Sequence, residues 1–253
     1  LDAPVIASEG RSYPVTVEYA LPGSQPLAQQ ITVLVQQALS KHNGNILVFL
    51  PGQAEINQSA QLLEQQGLAA NVQLHRLLGS LTLAQQQAAI AAPPAGVRKV
   101  VLSTNLAETS LTIDGITVVI DSGLCRQSRF NPRQGLSVLE TCAISQAAAT
   151  QRAGRAGRLS PGHCYRLDTA EKWQRRARFE APEIEVSDLT ALRLEVAAWG
   201  CQVDDLQWLT PPPAANLAVA EQLLQQLGFI DSKGVITASG RQAHKLATDP
   251  RLA

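Results

Sequence analysis

The octapeptide QRAGRAGR at 151–158 sets arginines at 152, 155 and 158, with Gly154 and Gly157 between them and Gln151 in front. On a helix this spacing keeps Arg155 and Arg158 near one another, and the glycines let the backbone approach a ligand. Two guanidinium forks and an amide suit phosphoryl transfer. The forks take up charge developing on the transferred group, and the amide orients an attacking water. A surface arginine helix bridged to acids or laid on RNA would carry the same letters. A second stretch, VVLSTNLAETSLTIDGITVVIDSG at 100–123, follows an apolar run with Ser103, Thr104, Asn105, Thr109, Ser110 and Thr112. These hydroxyls and amides can hold phosphate oxygens.

Charge is distributed in the same sense. The net charge is zero, yet residues 126–178 carry 11 basic and 3 acidic side chains, ten of the basic ones arginine. Arginine's planar fork matches phosphate, so this block reads as a polyanion site, with a solvated basic face as the plainer alternative. Residues 179–253 reverse the balance, with 5 basic and 10 acidic.

The elements that must position these groups follow from periodicity. Strands are expected at 13–19, 46–50, 72–77, 99–103, 116–121 and 162–167, with helices at 26–40, 54–66 and 82–92 between them. Strands alternating with helices or long crossovers predict an α/β fold, a parallel sheet with helices on both faces, whose ligands bind outside the carboxyl ends of the strands. The loop after Ser103 is expected there. Segments 124–130 and 136–142 flank NPRQG, which suits an inserted β-hairpin with a basic tip. Ser145 is placed to cap a helix reaching about residue 155, and Arg175, Arg176 and Arg178 close the basic block. Beyond 180 the pattern is mostly helical, at 187–199, 214–227 and from 238, with short strands at 229–230 and 235–237.

Several classes are disfavoured. The chain has 253 residues, enough for one large domain or a medium and a small one, and its 45% hydrophobic and 17% charged residues argue against disorder and coiled coil. No apolar run approaches the roughly 18–20 residues of a membrane span, so no membrane association is expected. Cys125, Cys142, Cys164 and Cys201 match neither a zinc pair nor a small disulfide framework; buried cytosolic thiols and no metal site are expected. His42, His75, His163 and His244 are scattered and read as structural. Leu1 in place of an initiator, with no methionine anywhere, suggests a fragment.

The two polar segments, with ILVFLPGQAEI at 46–56, GSLTLAQQQ at 79–87 and EGRSYPV at 9–15, resemble motifs IV, V and VI and their flanks in DEAH-box superfamily 2 RNA helicases. The resemblance runs through the chain in order, and is greatest to the bacterial HrpB-like branch. It implies a second RecA-like domain over residues 1–178, then a small, mostly helical winged-helix domain over 179–253, with room for the start of a further helical domain. By the same likeness Arg155 and Arg158 would be arginine fingers and Gln151 would position water. Ser103, Asp114 and Arg152 would lie toward ATP, while Gly52, Gln53, Thr104 and Asn105 would grip the RNA backbone. The hairpin around Arg129 and Arg133 resembles a strand-separating element. Ile90 stands where many relatives place a base-stacking Phe, so weak discrimination among nucleoside triphosphates is expected.

A Walker A loop is missing, since none of the lysines at 41, 99, 172, 233 and 245 follows a glycine, and so is an Asp-Glu dipeptide. ATP and Mg²⁺ would therefore be held mainly by an upstream RecA-like domain, and this chain alone should be inactive. The implied protein is a monomeric, cytoplasmic helicase acting on single-stranded or partly duplex RNA. Two rivals are a non-catalytic nucleic-acid-binding module and an oligomeric RecA-like ATPase subunit supplying Arg155 and Arg158 in trans. The acidic tail opposes the first.

Overall fold

The computed structural model describes residue 4 and residues 13–109, 111–246 and 248–253, so residues 9–12 of EGRSYPV and Ser110 lie outside the described residues. The chain divides into two compact units, Leu1–Arg126 with Thr141–Glu180, and Gln127–Glu140 with Ala181–Ala253.

In chain order the elements of the first part are β1 (Val15–Tyr19), α1 (Leu27–Lys41), β2 (Asn45–Phe49), α2 (Gln53–Gln66), β3 (Val72–Leu77), α3 (Leu83–Ile90), β4 (Arg98–Ser103) and β5 (Ile116–Asp121). The hairpin β6 (Leu124–Asn131) and β7 (Leu136–Ala143) follows, then α4 (Gln146–Gly154), β8 (Gly162–Arg166) and α5 (Ala170–Gln174). Six strands pair in parallel in the order β1-β8-β5-β2-β4-β3. All five residues of the central strand β2 are buried, which requires cover on both faces. Alternation supplies it: Ile46 and Val48 pack with Ile31, Val35, Ile56 and Leu63 of α1 and α2, while Leu47 and Phe49 pack with Ala107, Ile113, Ala153 and Ala156. Local capping agrees, with Thr82 and Gln85 forming a capping box on α3 and the Ser145 hydroxyl accepting from the Ala148 N–H at 3.1 Å on α4.

Because the strands are parallel, the ends of β2, β4 and β5 share one edge of the sheet, and the segments entering β5 and β8 share the other. The connection from β4 to β5 passes over β2 with, among its described residues, a single 3-10 turn, Asn105–Ala107, and its apolar residues Leu106, Ala107, Leu111 and Ile113 do the work of a helix in covering the sheet. This corrects the expectation that the whole polar loop lies outside the carboxyl ends. Thr104 and Asn105 do, but Thr112 and Asp114 run down to the amino edge, since a parallel crossover must return there. The short helix α5 was not expected; Thr169 caps it, accepting from Lys172 N–H at 3.2 Å.

The basic block is partly internal. Arg152, Arg155 and Arg166 are buried, and Arg176 bonds Asp168 at 2.6 Å and the carbonyls of Gly123 and Ile144, so not every arginine there is available to a polyanion.

Two of the scattered histidines meet. The rings of His42 and His163 lie 4.4 Å apart, and His42 Nε2 is 2.8 Å from the Tyr165 hydroxyl. Burial lowers the pKa of His42, His163, Lys41 and Arg98 lower it further, and Glu18 opposes them. The unfolded chain therefore binds the proton first as pH falls below about 6.5, and stability is lost from there down to the lower folded value. Urea unfolding at pH 7 and pH 5 is expected to show this loss, and a smaller one in His42→Gln, which keeps an acceptor for Tyr165; equal losses would remove His42 from the linkage.

The second unit carries α6 (Glu183–Val186), which buries none of its residues, and α7 (Thr190–Trp199), α8 (Ala214–Gln226) and α9 (Ala238–Lys245), which pack around Leu194, Leu224, Phe229, Ile230 and Ile236. The two expected short strands reduce to one bridge between Ile230 and Ile236, because the Asp231 carboxylate accepts from Lys233 and Val235 N–H and closes the turn at once. Arg193 is buried beneath that turn, bonding Glu221 at 2.8 Å and the Gly234 carbonyl. Among the described residues no helix is long and apolar enough to cross a membrane.

Candidate functional site

Helix α4 descends from the carboxyl edge to the amino edge and delivers Gln151, Arg155 and Arg158 to one open cleft of about 350 Å³, lined also by Glu108, Thr109 and Gly154. Gln151 and Arg158 are exposed, and Arg158 donates to Thr112 Oγ1 at 2.8 Å. Arg155 is only 6% exposed: its Nε donates to the Glu108 carbonyl at 2.8 Å, Nη2 to the same oxygen and Nη1 to the Leu111 carbonyl. Burial and the nearby charge of Arg158 lower its pKa, with Glu108 opposing. The cleft can thus offer a phosphate one solvent-facing fork immediately, and a second once Arg155 releases the loop. Of the two glycines, Gly154 faces open space, whereas a Cβ on Gly157 would meet the Tyr13 carbonyl at 2.5 Å. The close approach that requires glycine at 157 is to the chain itself and not to a ligand.

Two residues expected to lie toward the nucleotide are buried on internal partners. Arg152 is wholly buried, its Nε 2.9 Å from Glu108 Oε2 and its Nη1 2.9 Å from Asp121 Oδ1, with its guanidinium 4.8 Å from the Phe49 ring centroid. Burial alone would lower its pKa, yet Asp121 and Glu108 hold it above the ordinary arginine value. It is a strut between the polar loop, β5 and α4. Ser103 is fully buried at the end of β4, and its hydroxyl donates to the Leu77 carbonyl, clasping β4 to β3. Asp114 is exposed at the amino edge, two residues beyond Thr112. Ile90 ends α3, whose carboxyl end is held by Lys99: the buried ammonium donates to the carbonyls of Ala88, Ala89 and Ala91 at 2.6–2.9 Å.

At the carboxyl edge Gln53 and Asn105 are exposed, Thr104 is half-buried and Gly52 is buried at the start of α2. No side chain caps that helix, and Arg126 of β6 lies across it, so a Cβ on Gly52 would come within 3.0 Å of the guanidinium. Arg126 joins this edge as a cation that spacing alone did not single out; Glu55 holds it at 3.4 Å. Glu108 and Asp121 were also missed. An acid closing a buried apolar strand, as in ITVVID, needs a cationic partner, and that was the available signal. Arg129 and Arg133 are exposed on the hairpin, in the second unit. Among the described residues no group of three or more His, Cys, Asp or Glu could hold a metal ion.

A parallel sheet covered on both faces, with an arginine-lined cleft fed by α4 and the β4–β5 loop, is an α/β arrangement that can face a phosphate. Residues 29–160 match the family described as helicase conserved C-terminal domain, and the chain belongs to that family, with its RecA-like fold. It is 44% identical over 254 residues to the ATP-dependent RNA helicase HrpB of Escherichia coli, covering 100% of this chain and 31% of that protein. It is 39% identical to the pre-mRNA-splicing factor ATP-dependent RNA helicase prp22 of Schizosaccharomyces pombe, covering 98% of this chain and 22% of that protein. Two crystal structures of E. coli HrpB, described as a DExH-box NTPase and as a DEAH/RHA helicase, superpose with TM-scores of 0.93 and 0.95 at 44% and 43% identity. Each covers 99% of this chain, which spans 31% and 32% of those chains. The chain thus spans about a third or less of the relatives it matches.

Proposed function

We propose that this chain is the C-terminal half of the motor of an ATP-dependent RNA helicase, with residues 1–178 as its second RecA-like domain and 179–253 as a winged-helix domain. The observation that carries this reading is the cleft in which Gln151 and Arg158 face solvent with Arg155 in the wall. An upstream RecA-like domain of the same parent holds most of ATP and its Mg²⁺, and this chain closes over the terminal phosphate. ATP supplies the phosphoanhydride whose hydrolysis drives the motion. Arg158 and Arg155 neutralise charge on the transferred group and Gln151 orients water. Asp114, on the same edge as Thr112, is the remaining candidate toward the nucleotide. At the opposite edge Thr104, Asn105, Gln53 and the backbone at Gly52 grip RNA phosphates, with Arg126 beside them, so binding falls steeply with salt and is weakly sequence-specific. Arg129 and Arg133 meet the strand being displaced.

The test is ATP turnover by the parent, this segment joined to its upstream half, with and without single-stranded RNA. RNA-stimulated turnover is expected, and none from this chain by itself. A rate indifferent to RNA would leave the chain a phosphate-binding module, and turnover by the chain alone would refute the division of the site.

A further inference from the structure

The sulfurs of Cys125 on β6 and Cys142 on β7 lie 3.5 Å apart across the base of the hairpin. Their separation of 17 residues carries no signal in sequence, and the hairpin gives it one. Ile144 N–H donates to the Gly123 carbonyl at 3.1 Å, and two strands of eight residues run up from that pair, so Cys125 comes opposite Cys142. Opposed residues of an antiparallel pair have Cα atoms about 4.5–5.5 Å apart, inside the range of about 4.4–6.8 Å that a disulfide spans. The facing sulfurs and the pairing together put the two cysteines within disulfide reach. Both residues are half-buried, so a small reagent can reach them.

We propose that Cys125 and Cys142 close into a reversible disulfide that staples the base of the hairpin, formed by exchange with a small disulfide such as glutathione disulfide. One cysteine thiolate attacks a glutathione sulfur and expels one glutathione thiolate. The second cysteine, after losing its proton, attacks the mixed disulfide and expels the other. The two cysteines are oxidised by two electrons, glutathione disulfide is reduced, and the two protons go to the departing thiolates. Burial, then Cys142, then Glu180 push the Cys125 thiol up to about 12, with Arg152 opposing, so closure is slow near neutral pH and quickens as pH rises.

The position gives the bond a consequence. The chain leaves the first unit after Arg126 and re-enters it at Thr141, so the staple lies one residue inside both crossings and fixes the two ends of the segment that carries Arg129 and Arg133. The remaining thiols are elsewhere: Cys164 is buried in β8, and Cys201 belongs to the second unit.

The experiment treats the chain with glutathione disulfide at mildly alkaline pH, blocks remaining thiols and maps the peptides by mass spectrometry, alongside Cys125→Ser and Cys142→Ser. The expected product has lost two hydrogens, links the peptides of Cys125 and Cys142, and reverts with dithiothreitol. Its melting midpoint lies about 5 °C or more above that of the reduced chain, and trypsin cuts after Arg129 and Arg133 more slowly. Either serine variant should abolish the link. Glutathione persisting on either cysteine, or a link to Cys164 or Cys201, overturns the pairing; a closed bond that leaves melting and proteolysis unchanged overturns the staple.

Discussion

Arg158→Ala is expected to lower RNA-stimulated ATP turnover of the parent by about 10³-fold or more, the usual loss for an arginine finger, while leaving the melting midpoint of this chain nearly unchanged. The separation of the two effects follows from where the side chain sits. Arg158 is exposed and, among the described residues, bonds only the exposed Thr112, so its removal leaves no buried group of theirs unpaired. Arg158→Lys should restore little, because a point charge does not reproduce a planar fork. Arg155→Ala should show a kinetic defect of the same order together with a clear loss of stability, since the Glu108 and Leu111 carbonyls lose their donors. Steady-state kinetics and thermal melts on the same preparations distinguish the two arginines. A loss below about tenfold for Arg158→Ala would leave Arg155 as the sole finger.

Arg152→Met should act in the opposite manner, destabilising the first unit by about 3–5 kcal/mol. The substitution roughly keeps the volume but leaves Asp121, 1% exposed, without its cation, and one oxygen of that carboxylate already has no partner among the described residues. The midpoint of urea unfolding reads this directly. Adding Asp121→Asn to Arg152→Met should cost less than the sum of the single changes, because the uncompensated charge is then gone. If Arg152 instead touched nucleotide, the Met variant would keep its stability and raise the KM for ATP, and the strut would be the wrong description.

The sheet was readable because its signals are local. The apolar runs at 46–50, 99–103 and 116–121 each became buried strands, and Ser145 capped α4 as its position suggested. The site was half readable. Type and spacing picked out Gln151, Arg155 and Arg158, but could not say that Arg152 faces inward while Arg158 faces out. That depends on which face of α4 meets β2 and β5, and so on acids 44 and 31 residues away, Glu108 and Asp121. The partner of Ser103 was unreadable for a related reason: a hydroxyl at the end of a strand serves a neighbouring strand as well as it serves a ligand. The Cys125 and Cys142 contact depends on hairpin register, which spacing does not state.

The hold of Arg155 on the β4–β5 loop has one more implication. A guanidinium has five N–H donors, and here its three nitrogens are already directed at two carbonyls. An anion that draws the Nε face or these same Nη hydrogens to itself takes them from residues 108 and 111, on a strip of chain whose other end is Thr104 and Asn105. Occupancy at one end and slack at the other become a single thermodynamic quantity, and linkage makes it symmetric: whatever tightens the strip at Thr104 must, by the same free energy, alter how readily Arg155 lets go.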